Sequence, residues 1–149
     1  MGILNKLLLE NTNFTNWVKP SMDKLKLEYK VEHELKGKEL FDDFNDFLSY
    51  INNSQTITVT PQMDDQIYNR SQTEDFEELH DLISSYSSYP EFRNEDTLKA
   101  LYQGFKDNKP LDLPIIVKDD GEMTIFSGNT RMDVAFQLNI NPKVILIEL

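Results

Sequence analysis

Gly128, Asn129, Thr130 and Arg131 have the types and the order to hold an anion. An apolar stretch, Ile125-Phe126, runs through Ser127 into the glycine, and Met132-Asp133-Val134-Ala135 follows at once with helical character. Backbone N–H groups in the first turn of a helix lack intrahelical partners and carry partial positive charge, so they suit a phosphate or a carboxylate. Arg131 adds a permanent cation whose planar fork matches such groups. An ordinary strand-to-helix turn, with Thr130 as cap and Arg131 paired to a surface carboxylate, is the alternative for the same residues.

The elements that must position this corner are legible around it. Residues 113–118 read as a strand, Asp119-Asp120-Gly121-Glu122 as a turn, and residues 123–126 as the returning strand. After the corner a helix is expected to about Leu138, with Met132, Ala135, Phe136 and Leu138 as its apolar surface, and Asn141-Pro142 breaks it. Residues 144–149 are nearly all apolar, which predicts a strand at a sheet centre or a covered position.

Upstream, Ile3, Leu4, Leu7 and Leu8 predict a short helix over residues 1–10. Residues 25–35 alternate apolar and charged side chains and predict a half-buried strand, with His33 on its apolar face and Glu28 and Glu32 among the solvated charges. Leu40, Phe41, Phe44, Phe47, Leu48 and Ile51 recur at helical spacing over residues 38–52. Asp42, Asp43 and Asp46 lie among them without the turn-forming loop of an EF-hand, so no metal site is expected there. A short strand follows at residues 56–60. Ser71-Gln72-Thr73-Glu74 has the form of a capping box ahead of a helix carrying Phe76, Leu79, Leu82, Ile83 and Tyr86. His80 falls at the boundary of that stripe. A serine- and tyrosine-rich loop over residues 84–90 leads to another helix, capped by Asn94 or Asp96, with Leu98, Leu101, Tyr102 and Phe105 on its buried face.

Composition narrows the chemistry. The 149 residues hold no cysteine, which removes disulfides, thiolate catalysis and Cys-ligated zinc, and two histidines leave little for a His-rich metal centre. No run approaches the roughly 18–20 apolar residues of a membrane span. The first residues lack the long apolar core of a signal peptide, so a cytoplasmic location is expected, in a host cell if a phage encodes the chain. The net charge is −11. Residues 71–149 contribute 15 acidic against 7 basic side chains, so the half that holds the Gly128 corner is the more acidic one. With no basic stripe, non-specific duplex binding is not expected.

Residues 113–149, LPIIVKDDGEMTIFSGNTRMDVAFQLNINPKVILIEL, resemble the N-terminal domain of the partitioning family ParB, whose fold is shared with sulfiredoxin and a free-serine kinase and is often labelled a ParB-like nuclease domain. The pattern is strand, Asp-Gly turn, strand, Gly-x-x-Arg, Ala-containing helix and strand. The likeness is good over about 55 residues and weaker back to Thr73. The small size and the Asn- and Lys-rich composition resemble phage or mobile-element members.

The resemblance implies that Gly128 and Arg131, with Asn129 and Thr130 between them, bind the phosphates of ATP or CTP with Mg²⁺, and that phosphotransfer or NTP hydrolysis is the accompanying reaction class. Asn129 stands where sulfiredoxin has its reactive cysteine, so sulfiredoxin chemistry is excluded. The kinase-like members need a carboxylate base, for which Glu91, Glu95, Asp119 and Asp120 are the sequence candidates. ParB's later nucleotide motif and helix-turn-helix have no counterpart within the 149 residues, and the acidic surface argues against a nuclease.

The expected fold class is α/β (α+β): a small mixed sheet flanked by helices. Residues 71–149 form the ParB/sulfiredoxin-like domain. Residues 1–70 form an N-terminal extension of helix, strand, helix and short strand. The alternative function is a non-catalytic acidic interaction protein, or a nucleic-acid mimic, that regulates a host protein through its negative surface.

Overall fold

The computed structural model describes residues 13–35, 37, 39–84 and 95–149. The helix expected over residues 1–10, residues 85–90 of the polar loop, Glu91 and the Asn94 cap lie outside the described residues.

The chain enters through β1 (Trp17–Val18) and turns into α1 (Met22–Lys30), which a π-helical turn (Val31–Leu35) continues. This overturns the strand expected over residues 25–35. Ser21 caps the helix by accepting from the Lys24 N–H at 3.3 Å, and Asp23 and Lys30 complement the two ends of its dipole. Residues 22–30 contain no β-branched side chain, and their lysines, leucines and glutamate are good helix formers. Helical winding buries Leu25 and brings Lys24, Leu27, Glu28, Val31 and Glu32, spaced at three and four, to line one cleft.

Next comes α2 (Phe44–Asn53), shorter at its start than the sequence suggested because the aspartates form its cap. Asp43 Oδ1 accepts from the Asp46 N–H at 2.8 Å, and Asp46 Oδ2 accepts from the Asp42 N–H at 3.1 Å. β2 (Gln55–Thr58) and α3 (Pro61–Asp64), with Thr60 as cap and Pro61 at its first position, precede α4 (Phe76–Ser84). The cap of α4 lies four residues later than expected, where Asp75 Oδ1 accepts from the Glu78 N–H at 2.8 Å. Ser71 and Thr73 are used elsewhere. α5 (Glu95–Lys106) and β3 (Leu111–Asp112) lead to the hairpin of β4 (Ile115–Asp119) and β5 (Glu122–Ser127). Its two turn residues, Asp120 and Gly121, both take positive φ (51° and 80°), as a tight hairpin matched to strand twist requires.

α6 (Asn129–Gln137) follows immediately, and β6 (Lys143–Glu148) closes the sequence of elements. α6 ends at Gln137, one residue short of the expected Leu138 and four before Asn141. Asn139 takes φ +59°, the Asn139 N–H reaches the Phe136 carbonyl at 3.0 Å, and the Ile140 N–H reaches the Ala135 carbonyl at 2.8 Å. That pair of bonds satisfies two end carbonyls with asparagine in the left-handed position usually held by glycine.

The fold class is mixed α and β. A four-stranded sheet has the order β2-β6-β4-β5, with β6 antiparallel to β2 and parallel to β4, and β4 antiparallel to β5. β1 and β3 form a separate parallel pair. β6 is therefore interior, as its apolar sequence predicted. Alternate residues of the sheet enter opposite layers. Ile115, Val117, Ile145 and Ile147 pack with Leu25, Phe41, Phe47 and Ile51 from the side of α1 and α2. Ile116, Val144 and Leu146 pack with Met132 of α6 and with Val59 and Ile67 on the other side. A third cluster joins α4, α5 and α6 through Leu79, Leu98, Phe105 and Val134. Each fully buried side chain of this size contributes roughly 1.5–3 kcal/mol.

Residues before 70 are built into this sheet. β2 is one of its strands, and α2 covers one face. Residues 67–69 also cover the outer edge of β5: the Tyr68 N–H reaches the Met123 carbonyl at 2.9 Å, and the Asn69 carboxamide bonds both the N–H and the carbonyl of Ile125 at 2.6 and 3.0 Å. The expected division at residue 70 is thus crossed by sheet pairing and by core packing.

Candidate anion-binding site

Gly128 is where β5 ends and α6 begins. It caps the helix with φ +102° and ψ 21°, and a Cβ placed there would lie 2.5 Å from Pro114 Cβ, 2.9 Å from Pro114 Cα and 3.0 Å from Arg131 Nη2. The missing side chain therefore lets the helix start against the chain before β4 and lets the Arg131 guanidinium fold back over the turn. Thr130 is not the cap. α6 has no side-chain cap and no acidic residue in its first turn. Its leading N–H groups are left for water or a ligand.

Arg131 is half-buried and has no carboxylate partner among the described residues. Its hydrogen bond among those residues is a long one, from Nη2 to Ser127 Oγ at 3.5 Å, and its Nε is buried without a partner there. A buried, unsatisfied donor on a charged group costs about 1–3 kcal/mol or more, which an incoming anion would recover. The paired surface arginine of the alternative reading is not found among the described residues.

Asn129 does not face outward. Its Oδ1 accepts from the Ser71 N–H at 3.0 Å and from Arg70 Nη1, and its Nδ2 donates to the Ser71 carbonyl at 3.1 Å. Of the four residues expected to bind, Asn129 can offer only its backbone N–H. Thr130 and Arg131 remain at the mouth with Gly128.

Sequence reasoning missed the support beneath the turn. The Arg70 side chain is 2% exposed and donates to Asp64 at 2.6 and 3.1 Å and to Asp133 Oδ1 at 2.6 Å. Thr73 donates to Asp133 Oδ2 at 3.0 Å, Gln137 Nε2 donates to Thr73 Oγ1 at 3.1 Å, and the Tyr102 hydroxyl donates to Gln137 Oε1. Burial pushes that hydroxyl above its ordinary range and keeps it a donor. Burial alone would lower the Arg70 guanidinium, but the Asp64 hydrogen bond and the charges of Asp133 and Asp64 more than reverse this. Arg70 and Thr73 lie 60 to 64 positions from their partners Asp133 and Gln137, so no local pattern announces these bonds.

Burial also pushes the Asp133 carboxyl up to about 6, against the pull of Arg70 and Thr73. The unfolded carboxyl titrates near 3.9. Between roughly pH 4 and pH 6 the folded chain holds this proton and the unfolded chain does not, so this group's contribution to stability falls as pH rises through the window. Side-chain carboxyl NMR should give Asp133 an apparent pKa near 6. Compared with Asp133→Asn, the wild type should gain stability on acidification from pH 6 to pH 4. A difference that is flat across that range would contradict the assignment.

The corner borders a cleft of about 810 Å³, a size suited to a nucleotide-sized ligand. Leu27 of α1, Ile83 of α4 and Leu98 and Leu101 of α5 give it apolar wall. Among the described residues its carboxylates are Glu28, Glu32 and Asp112, the last tied to Lys24 at 2.8 Å. Of the acids singled out from sequence, Glu95, Asp119 and Asp120 do not line it. Glu95 is exposed and bonded to Lys99 at 3.0 Å, and Asp119 and Asp120 sit at the far end of the hairpin from Ser127. The spacing of Lys24, Glu28 and Glu32 was the available signal, hidden by the strand reading.

Among the described residues, no three histidine, aspartate or glutamate side chains are grouped to hold a metal ion, and no helix is long and apolar enough to cross a membrane. Comparison with protein-family models, curated proteins and solved structures finds no match to this chain.

Proposed function

We propose that this chain binds a nucleotide, its phosphates at Gly128, Thr130 and Arg131 and its base and sugar along the apolar wall of the adjoining cleft. The observation that carries the reading is Arg131: a half-buried guanidinium, unsatisfied at Nε, beside an uncapped helix N-terminus at the edge of an 810 Å³ cleft. Both features favour negative charge at the same place. The resemblance of residues 113–149 to the ParB family supports the same ligand class. With no three-ligand metal cluster among the described residues, Mg²⁺ would arrive on the phosphate oxygens of ATP or CTP. The chain's own contribution is to bind and orient the phosphates, and phosphoryl transfer or hydrolysis is the reaction class that such positioning serves.

Calorimetric titration of ATP, CTP and GTP with Mg²⁺ tests the proposal. Arg131→Ala should weaken binding by about a hundredfold, as expected for losing charge-assisted hydrogen bonds worth roughly 3 kcal/mol. Its melting temperature should stay within a few degrees of wild type, because among the described residues the side chain has no ion pair to lose. Folded wild-type protein that takes up none of the three nucleotides would overturn the reading. Function would then be sought in the acidic surface and a basic protein partner.

A further inference from the structure

Arg70 does not line the cleft and its side chain is buried, yet its donors converge on the start of the helix that forms the site. Besides Asp64 and Asp133, it bonds the Asn129 side chain and reaches the Asn129 carbonyl at 3.4 Å and the Ser71 carbonyl at 3.3 Å. Asn129 and Asp133 are one turn apart on α6, on either side of Arg131 in sequence. Ser71, bonded at both its N–H and its carbonyl by Asn129, itself lines the cleft. A lysine has one charged nitrogen and no planar fork, and it could not reproduce this set of contacts.

We infer that Arg70 is a positioning residue for the anion site, holding the first turn of α6 where Arg131 and the helix N–H groups reach a phosphate and coupling ligand binding to residues 64–73. The inference rests on the nucleotide reading above. It adds a mechanism to it: the segment that covers the β5 edge and the turn that takes the phosphate move as one unit. Ligand binding must then be felt at Ser71 and Thr73, and loosening Arg70 must be felt by the ligand, because coupling between two places is reciprocal.

Two measurements test this. In the first, ATP and CTP with Mg²⁺ are titrated into wild type, Arg70→Lys and Arg131→Ala. Arg70→Lys should weaken binding about tenfold although its side chain cannot touch the ligand, while Arg131→Ala loses about a hundredfold. In the second, amide hydrogen exchange of the wild type is followed with and without saturating nucleotide. Ser71 and Thr73 should be protected, whereas Thr56 and Thr58 on the opposite sheet edge should not change. Thr73 is the deciding amide, because Ser71 lines the cleft and could be protected by the ligand directly, whereas Thr73 does not line it.

If Arg70→Lys does not fold, the exchange measurement decides by itself. Wild-type affinity in folded Arg70→Lys, or Ser71 and Thr73 amides indifferent to bound nucleotide, would overturn the inference while leaving the Arg131 site standing. A wild type that binds neither nucleotide would instead remove the functional reading, and the inference with it.

Discussion

Gly128→Ala is expected to lower the melting temperature by about 10 °C. Two costs add. An alanine at φ +102° is outside the region open to L-residues, worth roughly 1–3 kcal/mol, and its Cβ would overlap Pro114, including the backbone Cα, at 2.5–2.9 Å. Relief would require moving the chain before β4 or the start of α6. A loss near 3 kcal/mol in a chain of this size corresponds to the shift stated. Gly121→Ala is the control, since Gly121 also has positive φ (80°) but nothing lies within 4 Å of its missing Cβ. It should cost about 1 kcal/mol. Equal losses at the two glycines in thermal melts would refute the packing argument at Gly128.

Replacing Arg70 with leucine should cost about 3–5 kcal/mol, a large fraction of the 5–15 kcal/mol of a typical domain. Little of this is lost attraction. Asp64 and Asp133 would be left facing one another in the interior without the cation that both share. Urea unfolding should therefore show the loss chiefly as a lowered midpoint with an unchanged slope. Asp133→Asn placed in the Arg70→Leu background should recover part of it, because one stranded carboxylate is gone. Strictly additive losses in that double-mutant cycle would mean that the two residues do not share a network.

What could be read in the sequence was what neighbours in sequence decide. The β4–β5 hairpin, the abrupt start of α6 and the interior position of β6 follow from alternation, an Asp-Gly turn and an apolar run. The fold class follows from these. The corner itself was visible because Gly128 and Arg131 are three residues apart. Segment 25–35 failed because its charges alternate while its residue types prefer a helix, and the Ser21 cap settled the matter from outside the pattern. The correct winding would have brought Lys24, Glu28 and Glu32 together as one face. The buried network was beyond reach for a different reason. Arg70 and Thr73 depend on Asp133, and Ser71 on Asn129, partners brought near only by the completed fold. Asn129, read as a ligand contact, is one of those partners.

The central place of β6 bears on how the chain acquires its structure. β2 at residues 55–58 has β6 as its one neighbour in the sheet, and β4 relies on β6 for its second ladder. Until residues 143–148 have been synthesised, β2 has no strand to join, and the sheet is limited to the local β4–β5 hairpin. Pairing across nearly ninety residues must then close a long loop, the kind of contact that slows folding. The nascent chain therefore carries β2 and one edge of β4 without their ladder partner until residues 143–148 arrive and join the two sides of the sheet.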